Sequence, residues 1–388
     1  MGCEMGSVIY LDNNATTPVA PEVLEAMEPW LKGGFGNPSS GYRLGRLAAS
    51  AIDTARGQVA ELAGCQPDEW IFTSGGTESI HTAIRSALAL DPSKRHIVTS
   101  AVEHSATLRL CSQLSKEGCE ITILPVDDLG QIDHTLLESA IRPDTAVVSL
   151  LWANNETGVL WPLEKIAAIV QKTNAVLHID AVQAFGKIPL RLEGLGVHFM
   201  SFSGHKLHAP KGVGGLYINR RIAFTPLFPG TQETSRRGGT PNVASIVAFG
   251  QAAELAAAHP LKSSHRDRLE SSLLAAIPGS SVNGDRAHRL PNTTNLSFEG
   301  IKSEAALILL DEHGVCCSAG SSCATGSAKP SHVLKAMGLT DAQAKSSLRL
   351  SLSRLTTPEE ITRATEILPT VIQKLRAVSL ADSPVAFS

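Results

Sequence analysis

Between residues 71 and 218, short apolar segments alternate with longer segments of helical periodicity. This alternation is typical of a mostly parallel sheet covered by helices on both faces, so we predict an α/β fold. The seven strands are expected at residues 71–73, 96–99, 121–124, 146–152, 176–179, 198–202 and 215–218. Because ligands bind at the carboxyl ends of strands in such sheets, the polar residues that directly follow the strands are the first candidates for a functional site.

The chain has 388 residues, which is too long for one small core, so we expect two domains of unequal size. The large domain is expected at residues 16–258, with helices at 21–31, 43–63, 77–90, 105–116, 133–141, 163–173 and 241–258. The smaller α+β domain is expected to combine residues 1–15 with residues 259–388. Its predicted strands are 295–298 and 348–352, and its predicted helices are 263–277, 303–313 and 358–374.

Composition excludes several classes of protein. A hydrophobic content of 43% and a charged content of 18% are those of a soluble globular chain, and a net charge of −3 gives no footprint for nucleic acid. No apolar run approaches the roughly 20 residues of a membrane helix. The first four residues lack the charged and apolar regions of a signal peptide, so we expect a cytoplasmic protein. Seven cysteines, an odd and scattered set, do not form a disulfide framework.

A lysine stands where the chain leaves the sixth predicted strand. Ser203, Gly204, His205 and Lys206 follow that strand, and the glycines at 212, 214 and 215 allow close backbone approach. A single lysine beside a turn is usually a solvated surface residue. A lysine held at a strand end can instead lose its proton and attack a carbonyl.

Three further strand ends carry polar residues. Gly76 and Thr77 join a strand to a helix start, where backbone N–H groups and a hydroxyl hold a phosphate, although an ordinary helix cap has the same pattern. His104 and Asp180 each follow another strand, where an imidazole can stack on a planar ring and a carboxylate can pair with a protonated pyridine nitrogen. Each residue alone has a structural explanation. Together with Lys206 they describe a site for pyridoxal 5'-phosphate (PLP).

Six motifs carry a resemblance to a known family. They lie at residues 11–18, 35–40, 152–158, 178–183, 204–212 and 349–354, and they cover the chain almost from end to end. On these motifs the sequence closely resembles the NifS/IscS type of cysteine desulfurase, within the class V aminotransferase-like enzymes. The resemblance implies the fold type I of PLP-dependent transferases and a homodimer.

The resemblance implies a role for each matching residue. Lys206 would form the Schiff base with PLP, with Lys211 as the weaker candidate, and His104 would stack on the ring. The other implied contacts are Asp180 with the ring nitrogen, Gln183 with the ring hydroxyl, and Gly76, Thr77, Ser203 and His205 with the phosphate. Asn155 would contact cofactor or substrate, Arg349 and Asn37 the substrate carboxylate, and Thr240 the phosphate of a neighbouring subunit.

Cys323 matches the nucleophilic cysteine of the family, and its glycine- and serine-rich surroundings suit a thiolate that attacks the substrate sulfur and holds it as a persulfide. The expected reaction converts L-cysteine to L-alanine and passes sulfur to an acceptor protein, such as an iron–sulfur scaffold. A selenocysteine lyase, another class V PLP enzyme and a non-catalytic sulfur-transfer scaffold are the alternatives. We expect no metal site, because Cys316, Cys317 and Cys323 lack a second pair with ligand spacing, and we expect the first two to be buried.

Overall fold

The computed structural model describes residues 8–319 and 329–381 of the chain. A seven-stranded sheet forms its centre. The strands are β2 (Trp70–Thr73), β3 (His96–Ser100), β4 (Glu120–Leu124), β5 (Thr145–Leu151), β6 (Val176–Asp180), β7 (Phe199–Ser203) and β8 (Gly214–Ile218). Their spatial order is β2-β8-β7-β6-β5-β3-β4, and only β8 runs antiparallel to its neighbours. The predicted α/β class and the mostly parallel seven-stranded sheet are therefore confirmed.

Helices cover both faces of this sheet. They are α1 (Pro21–Lys32), α2 (Arg43–Ala63), α3 (Gly76–Leu90), α4 (Ser105–Lys116), α5 (His134–Ala140), α6 (Leu163–Val170) and α8 (Val243–Ala258), with the one-turn segment α7 (Gln232–Ser235) between the last two. Helix α2 ends where Gly64 adopts a left-handed conformation with φ of 62°, which glycine reaches without strain. Trp70 and Phe202 stack in the core with ring centroids 4.7 Å apart.

A second group of elements surrounds a smaller sheet. The strands β9 (Ser280–Val282), β10 (Thr293–Phe298) and β12 (Ser347–Ser351) form an antiparallel sheet, and β1 (Ile9–Tyr10) pairs in parallel with β11 (Val315–Cys316). The helices here are α9 (Ser264–Ala276), α10 (Ser303–Glu312), α11 (His332–Ala336), α12 (Asp341–Lys345) and α13 (Pro358–Ala381).

The core of this smaller group joins the two ends of the chain. Ile9 and Leu11 are buried in one hydrophobic cluster with residues between 269 and 372, including Leu296 and Leu350. Burial of Leu290 and Leu334 in the cluster of the large sheet shows that the two groups share a boundary. The domain limits at residues 15/16 and 258/259 stay a prediction. Among the described residues, no helix is long and apolar enough to cross a membrane.

The sheet topology places five strand ends on one edge. Thr73 at the end of β2 and Ser203 at the end of β7 both pair with Gly214, so these two strands finish at the same level on either side of β8. Asp180 at the end of β6 pairs with Leu151 of β5 and with Ser201 of β7. The segments that follow β2, β3, β5, β6 and β7 therefore leave the sheet at the edge where ligands bind in folds of this class.

Candidate active site

A cavity of about 230 Å³ lies at this edge of the large sheet. Most of the residues predicted for the site line it: Gly76, Thr77, His104, Asn155, Asp180, Gln183, Ser203, His205, Lys206 and Arg349. The other lining residues are Asn14, Ala15, Ile80, Leu151, Ala153 and Val182. The structure thus brings together residues from five strand ends, from the N-terminal segment and from the smaller sheet.

Lys206 enters the cavity from a 3₁₀ turn, Gly204–Lys206, that begins directly after β7. Its Nζ donates to the backbone carbonyl of Asn14 at 2.5 Å and to that of Ala15 at 2.7 Å. Lys211 is exposed and is not among the cavity residues. Of the two candidate lysines, Lys206 is therefore the one that can reach a ligand in this cavity.

Asp180 is a buried carboxylate at the cavity wall, 7% exposed. The backbone N–H of Val182 donates to its Oδ1 at 2.9 Å. Burial raises the pKa of Asp180, while the charges of His104 and Lys206 and the Val182 hydrogen bond act in the opposite direction. A cationic group of a ligand in the cavity would stabilise the ionised carboxylate.

The start of α3 provides an anion-binding end of the cavity. The first-turn N–H groups of this 15-residue helix, at Gly76 and Thr77, have no intrahelical acceptor and carry the positive end of the helix dipole. Gly214 on β8 allows the backbone at Gly75, directly before α3, to pack against it, because a Cβ atom at position 214 would lie 2.6 Å from the Cα of Gly75. Ser203, 5% exposed, adds its hydroxyl to the same cavity.

Two histidines in the cavity have pKa values below the usual range. Burial, reinforced by the positive charges of Lys206 and Lys211, lowers the pKa of His205 to about 4, and its Nδ1 lies 3.1 Å from the Thr16 hydroxyl. His104 caps α4 by accepting the N–H of Ala106 at Nδ1, at 3.1 Å. Desolvation by the surrounding protein also lowers the pKa of His104, while the charge of Asp180 acts in the opposite direction. The neutral form of both rings is therefore favoured.

Arg349 forms the other end of the cavity. It lies on β12 and is 1% exposed, so its guanidinium is held inside the protein. One terminal nitrogen donates to Asp12 Oδ1 at 2.6 Å, and the other donates to the backbone carbonyl of Asn155 at 2.9 Å. Within the described chain its buried Nε has no hydrogen-bond partner. The guanidinium keeps donor capacity for an anion in the cavity.

Three predicted residues are not brought into this cavity. Asn37 is exposed in the loop before α2, where its Oδ1 accepts the N–H of Ser39 at 2.9 Å. Thr240 is also exposed and does not line the cavity of its own chain, which leaves its expected role in a neighbouring subunit a prediction. Cys323 lies outside the described residues.

The expectation for the cysteine pair was too strong. Cys316, the last residue of β11, and Cys317, which follows it, are half-buried rather than buried. Burial nevertheless raises the pKa of both thiols. In the part of the chain that the structure describes, no group of three or more histidine, cysteine or acidic residues is arranged for a metal ion.

The sequence did not single out the N-terminal contacts of the site. Asn14 is 1% exposed, and its backbone carbonyl accepts from Gln183 Nε2 as well as from Lys206. Its side chain donates to Thr293 Oγ1 at 2.9 Å. Asp12 and Lys187 complete the set of missed residues. In the sequence, only the polar turn with Asn13 and Asn14 indicated that this segment could be functional, and it does not show which distant groups these residues contact.

Known proteins resemble the chain over almost its full length. Residues 9–364 match the family described as aminotransferase class-V. "Cysteine desulfurase 2" of Trichormus variabilis is 50% identical over 378 residues, which cover 96% of this chain and 95% of that protein. "Cysteine desulfurase NifS" of Azotobacter vinelandii is 46% identical over 378 residues, which cover 96% of this chain and 94% of that protein.

Solved structures show the same fold. A "NifS-like protein" superposes with a TM-score of 0.87 at 36% identity, covering 95% of this chain and all of that chain. "SspA in complex with cysteine" superposes with a TM-score of 0.80 at 34% identity, covering 90% of this chain and 99% of that chain. These matches confirm the resemblance that the motifs indicated. The chain belongs to the aminotransferase class-V family, in the group that includes the NifS-type cysteine desulfurases.

Proposed function

We propose that the chain is a PLP-dependent cysteine desulfurase, which converts L-cysteine to L-alanine and retains the sulfur as a persulfide on Cys323. The observation that carries this proposal is the convergence of Lys206, Asp180 and Arg349 on one cavity. These three residues supply an amine, a carboxylate and an anion-binding guanidinium. The curated relatives that are 46–50% identical over 96% of the chain are cysteine desulfurases, which supports the same reaction.

The residues of the cavity fit PLP. The buried Asp180 has a raised pKa that a protonated ring nitrogen would lower again, and the free N–H groups at the start of α3 suit a phosphate. Ser203, His205 and Thr77 would add donors to that phosphate, and Gln183 would face the ring hydroxyl. When bound, PLP supplies an electron-withdrawing ring that makes the Cα proton of the amino acid acidic.

The protein's own groups then bind the substrate and move its protons. Arg349 binds the substrate carboxylate with donors that Asp12 and the Asn155 carbonyl hold in place. Lys206 removes the proton from Cα, because it is the amine that reaches into the cavity from the end of β7. The neutral His104 ring lies at the cavity wall, where it can cover the planar cofactor and accept a proton.

Cys323 takes the sulfur. Its thiolate attacks the sulfur of L-cysteine and the Cβ–S bond breaks, with its electron pair left on the carbon fragment. Protonation of Cβ and return of a proton to Cα then give L-alanine, and the sulfur stays on the protein in an S–S bond. Described residues on both sides of Cys323 contact Arg349, which lines the cavity, or Glu156, which follows the lining residue Asn155, and this supports the assignment. Ser318 exchanges backbone hydrogen bonds with Arg349, and the Ser331 hydroxyl donates to the buried carboxylate of Glu156.

The proposal extends to assembly and partners. Large apolar side chains around α1 and the loop that follows it are exposed, with Leu31 at 62% and Phe35 at 80%, and a homodimer interface would cover them. In such a dimer, Thr240 and Asn37 of one subunit would serve the cavity of the other. The persulfide would pass to a cytoplasmic acceptor protein such as an iron–sulfur scaffold.

Alanine and sulfide measured together test the reaction. Purified protein with bound PLP is incubated with L-cysteine and a reductant, for wild type and for Cys323→Ser, with Cys316→Ser as the matched control. Equal yields of alanine and sulfide from wild type and from Cys316→Ser, and their collapse in Cys323→Ser, are expected. Undiminished turnover in Cys323→Ser, or a preference for selenocysteine, would contradict the proposal in favour of a lyase.

A further inference from the structure

Lys187 is a buried lysine next to the cavity that the proposed reaction does not use. It lies in the turns that follow β6, four residues after Gln183, and is 7% exposed. Its Nζ donates to the side-chain oxygens of Asn14 and Gln183, at 2.9 Å each. Burial and the nearby charges of Lys206 and Arg349 all lower its pKa well below the usual range. Burial of a lysine amine costs folding free energy, which its hydrogen bonds to Asn14 and Gln183 offset.

Two hydrogen bonds, one from Lys187 and one to the backbone of Asn14, determine how the Gln183 amide is oriented. Gln183 Oε1 accepts from Lys187, and Gln183 Nε2 donates to the backbone carbonyl of Asn14 at 2.9 Å. In the reversed orientation, two oxygens would lie within hydrogen-bond distance of each other at Asn14. The second N–H of Gln183 is therefore available to the cavity that this residue lines.

Lys187 orients Asn14 in the same way. Asn14 Oδ1 accepts from Lys187 and from Asn292 Nδ2, the latter at 3.2 Å, and so Asn14 Nδ2 is directed to Thr293 and to the Asn155 carbonyl. The backbone carbonyl of Asn14 accepts from Lys206. Through Asn14, the buried amine is thus connected to the lysine of the site.

We propose that Lys187 is a positioning residue of the PLP site, which holds Gln183 so that its amide presents an N–H group to the ring oxygen of the cofactor. The inference rests on the proposed function, since the ring oxygen belongs to PLP. Lys187 touches neither cofactor nor substrate. Its effect reaches the ligand through the amides of Gln183 and Asn14.

The test measures PLP affinity and the pH dependence of the bound cofactor's absorbance. Apo-protein is titrated with PLP and binding is followed by visible absorbance, for wild type, Lys187→Met and the exposed control Lys165→Met. Lys187→Met removes the hydrogen bonds that Lys187 donates to Asn14 and Gln183, so the variant is expected to bind PLP about 3- to 10-fold more weakly. The pH midpoint of the bound cofactor's absorbance is expected to rise, since the ring oxygen loses a donor that favours its deprotonated form. The Lys165→Met control should match wild type.

A double-mutant cycle separates positioning from a general structural role. If Lys187 acts through Gln183, the loss of affinity in Lys187→Met combined with Gln183→Leu is smaller than the sum of the two single losses. Additive losses, or unchanged affinity and midpoint in Lys187→Met, would overturn the inference. If Lys187→Met does not fold, the same titration on Lys187→Ala, which also removes the donor to Gln183, decides: weaker PLP affinity with a raised midpoint supports the inference, and unchanged affinity and midpoint contradict it. Failure of wild type to bind PLP would instead refute the proposed function.

Discussion

The two ends of the cavity are built in different ways. At the cofactor end, Asp180 and Ser203 are the last residues of two strands of one sheet, and Thr77 and Lys206 follow strands of the same sheet within a few residues. At the substrate end, Arg349 is held by Asp12, 337 residues away in sequence, and by the carbonyl of Asn155, 194 residues away. The cofactor end is therefore built mainly on one sheet, with added contacts from Lys206 and Gln183 to the backbone of Asn14. The substrate end depends throughout on how distant parts of the chain pack together.

This difference implies that the two ends can be damaged separately. A substitution at the cofactor end should change PLP binding or the chemistry, while the substrate end remains assembled. A substitution at Arg349 should change the binding of L-cysteine, while PLP is still held by the strand ends. The following predictions test this separation, beginning with the largest effect on turnover.

Replacement of Lys206 should abolish the reaction. In Lys206→Ala the group that accepts the Cα proton is missing, so alanine formation at saturating L-cysteine should fall by roughly 10³-fold or more. Lys211→Ala is the matched control and should retain activity, because Lys211 is exposed outside the cavity. Retained turnover in Lys206→Ala with loss in Lys211→Ala would reverse the assignment of the lysine.

Arg349→Lys should weaken substrate binding without loss of cofactor. A single ammonium group cannot hold Asp12, the Asn155 carbonyl and a substrate carboxylate together, as the guanidinium can. We expect kcat/KM for L-cysteine to fall about 10- to 100-fold, mainly through KM, and PLP absorbance to stay at the wild-type level. Arg109→Lys, on the exposed side of α4, is the control. A parallel loss of PLP would show that the two ends are not separate.

Asp180→Asn should weaken PLP binding but stabilise the apo-protein. Without the carboxylate, the ring nitrogen loses a charged partner, and PLP affinity should fall about tenfold. The empty protein should become more stable near pH 7, because burial raises the pKa of Asp180 and the ionised group is a cost there. Urea unfolding of both apo-proteins and PLP titration measure the two effects. A lower stability of the apo variant would contradict this account of Asp180.

Glu103→Gln should leave turnover within about twofold of wild type and change only the pH dependence of stability. Glu103 is fully buried beside the cavity, with Oε1 accepting from Ser100 and Leu151 and with Oε2 unpaired among the described residues. Burial raises the pKa of its carboxyl to about 8.

The sign of this effect follows from proton uptake. Between the unfolded pKa, about 4.3, and the folded value, the native protein binds more protons, so the free energy of unfolding falls as pH rises. Urea unfolding at pH 5 and pH 8 should show this fall in wild type and a smaller one in Glu103→Gln. An equal fall in both proteins would mean that Glu103 is already ionised at pH 5.

The sequence could predict the cofactor end because its signals are local. A strand end, a polar residue and a helix start follow one another in a few positions, as at Thr73 to Thr77 and at Ser203 to Lys206. The direction of β8, which runs antiparallel between β2 and β7, is known only from the structure.

The substrate end was predictable only by resemblance. Nothing in the residues near Asp12, Asn14 or Arg349 indicates that these groups meet, because their contacts span most of the chain. Short elements were missed for a related reason. Strands β9 and β11 have three and two residues, and helices α11 and α12 have five each, so tertiary packing rather than local periodicity decides their structure.

Asn14 links residues made at the beginning and at the end of synthesis. Its backbone N–H donates to the Ser351 hydroxyl and its side chain to Thr293, and both partners leave the ribosome long after it does. Contacts of this span form only after the intervening chain is available. A nascent polypeptide that has passed residue 206 thus carries the lysine but lacks the finished surroundings of the asparagine that holds it. The contacts that fix Asn14 are consequently completed only when the last strand of the small sheet, β12, has been made.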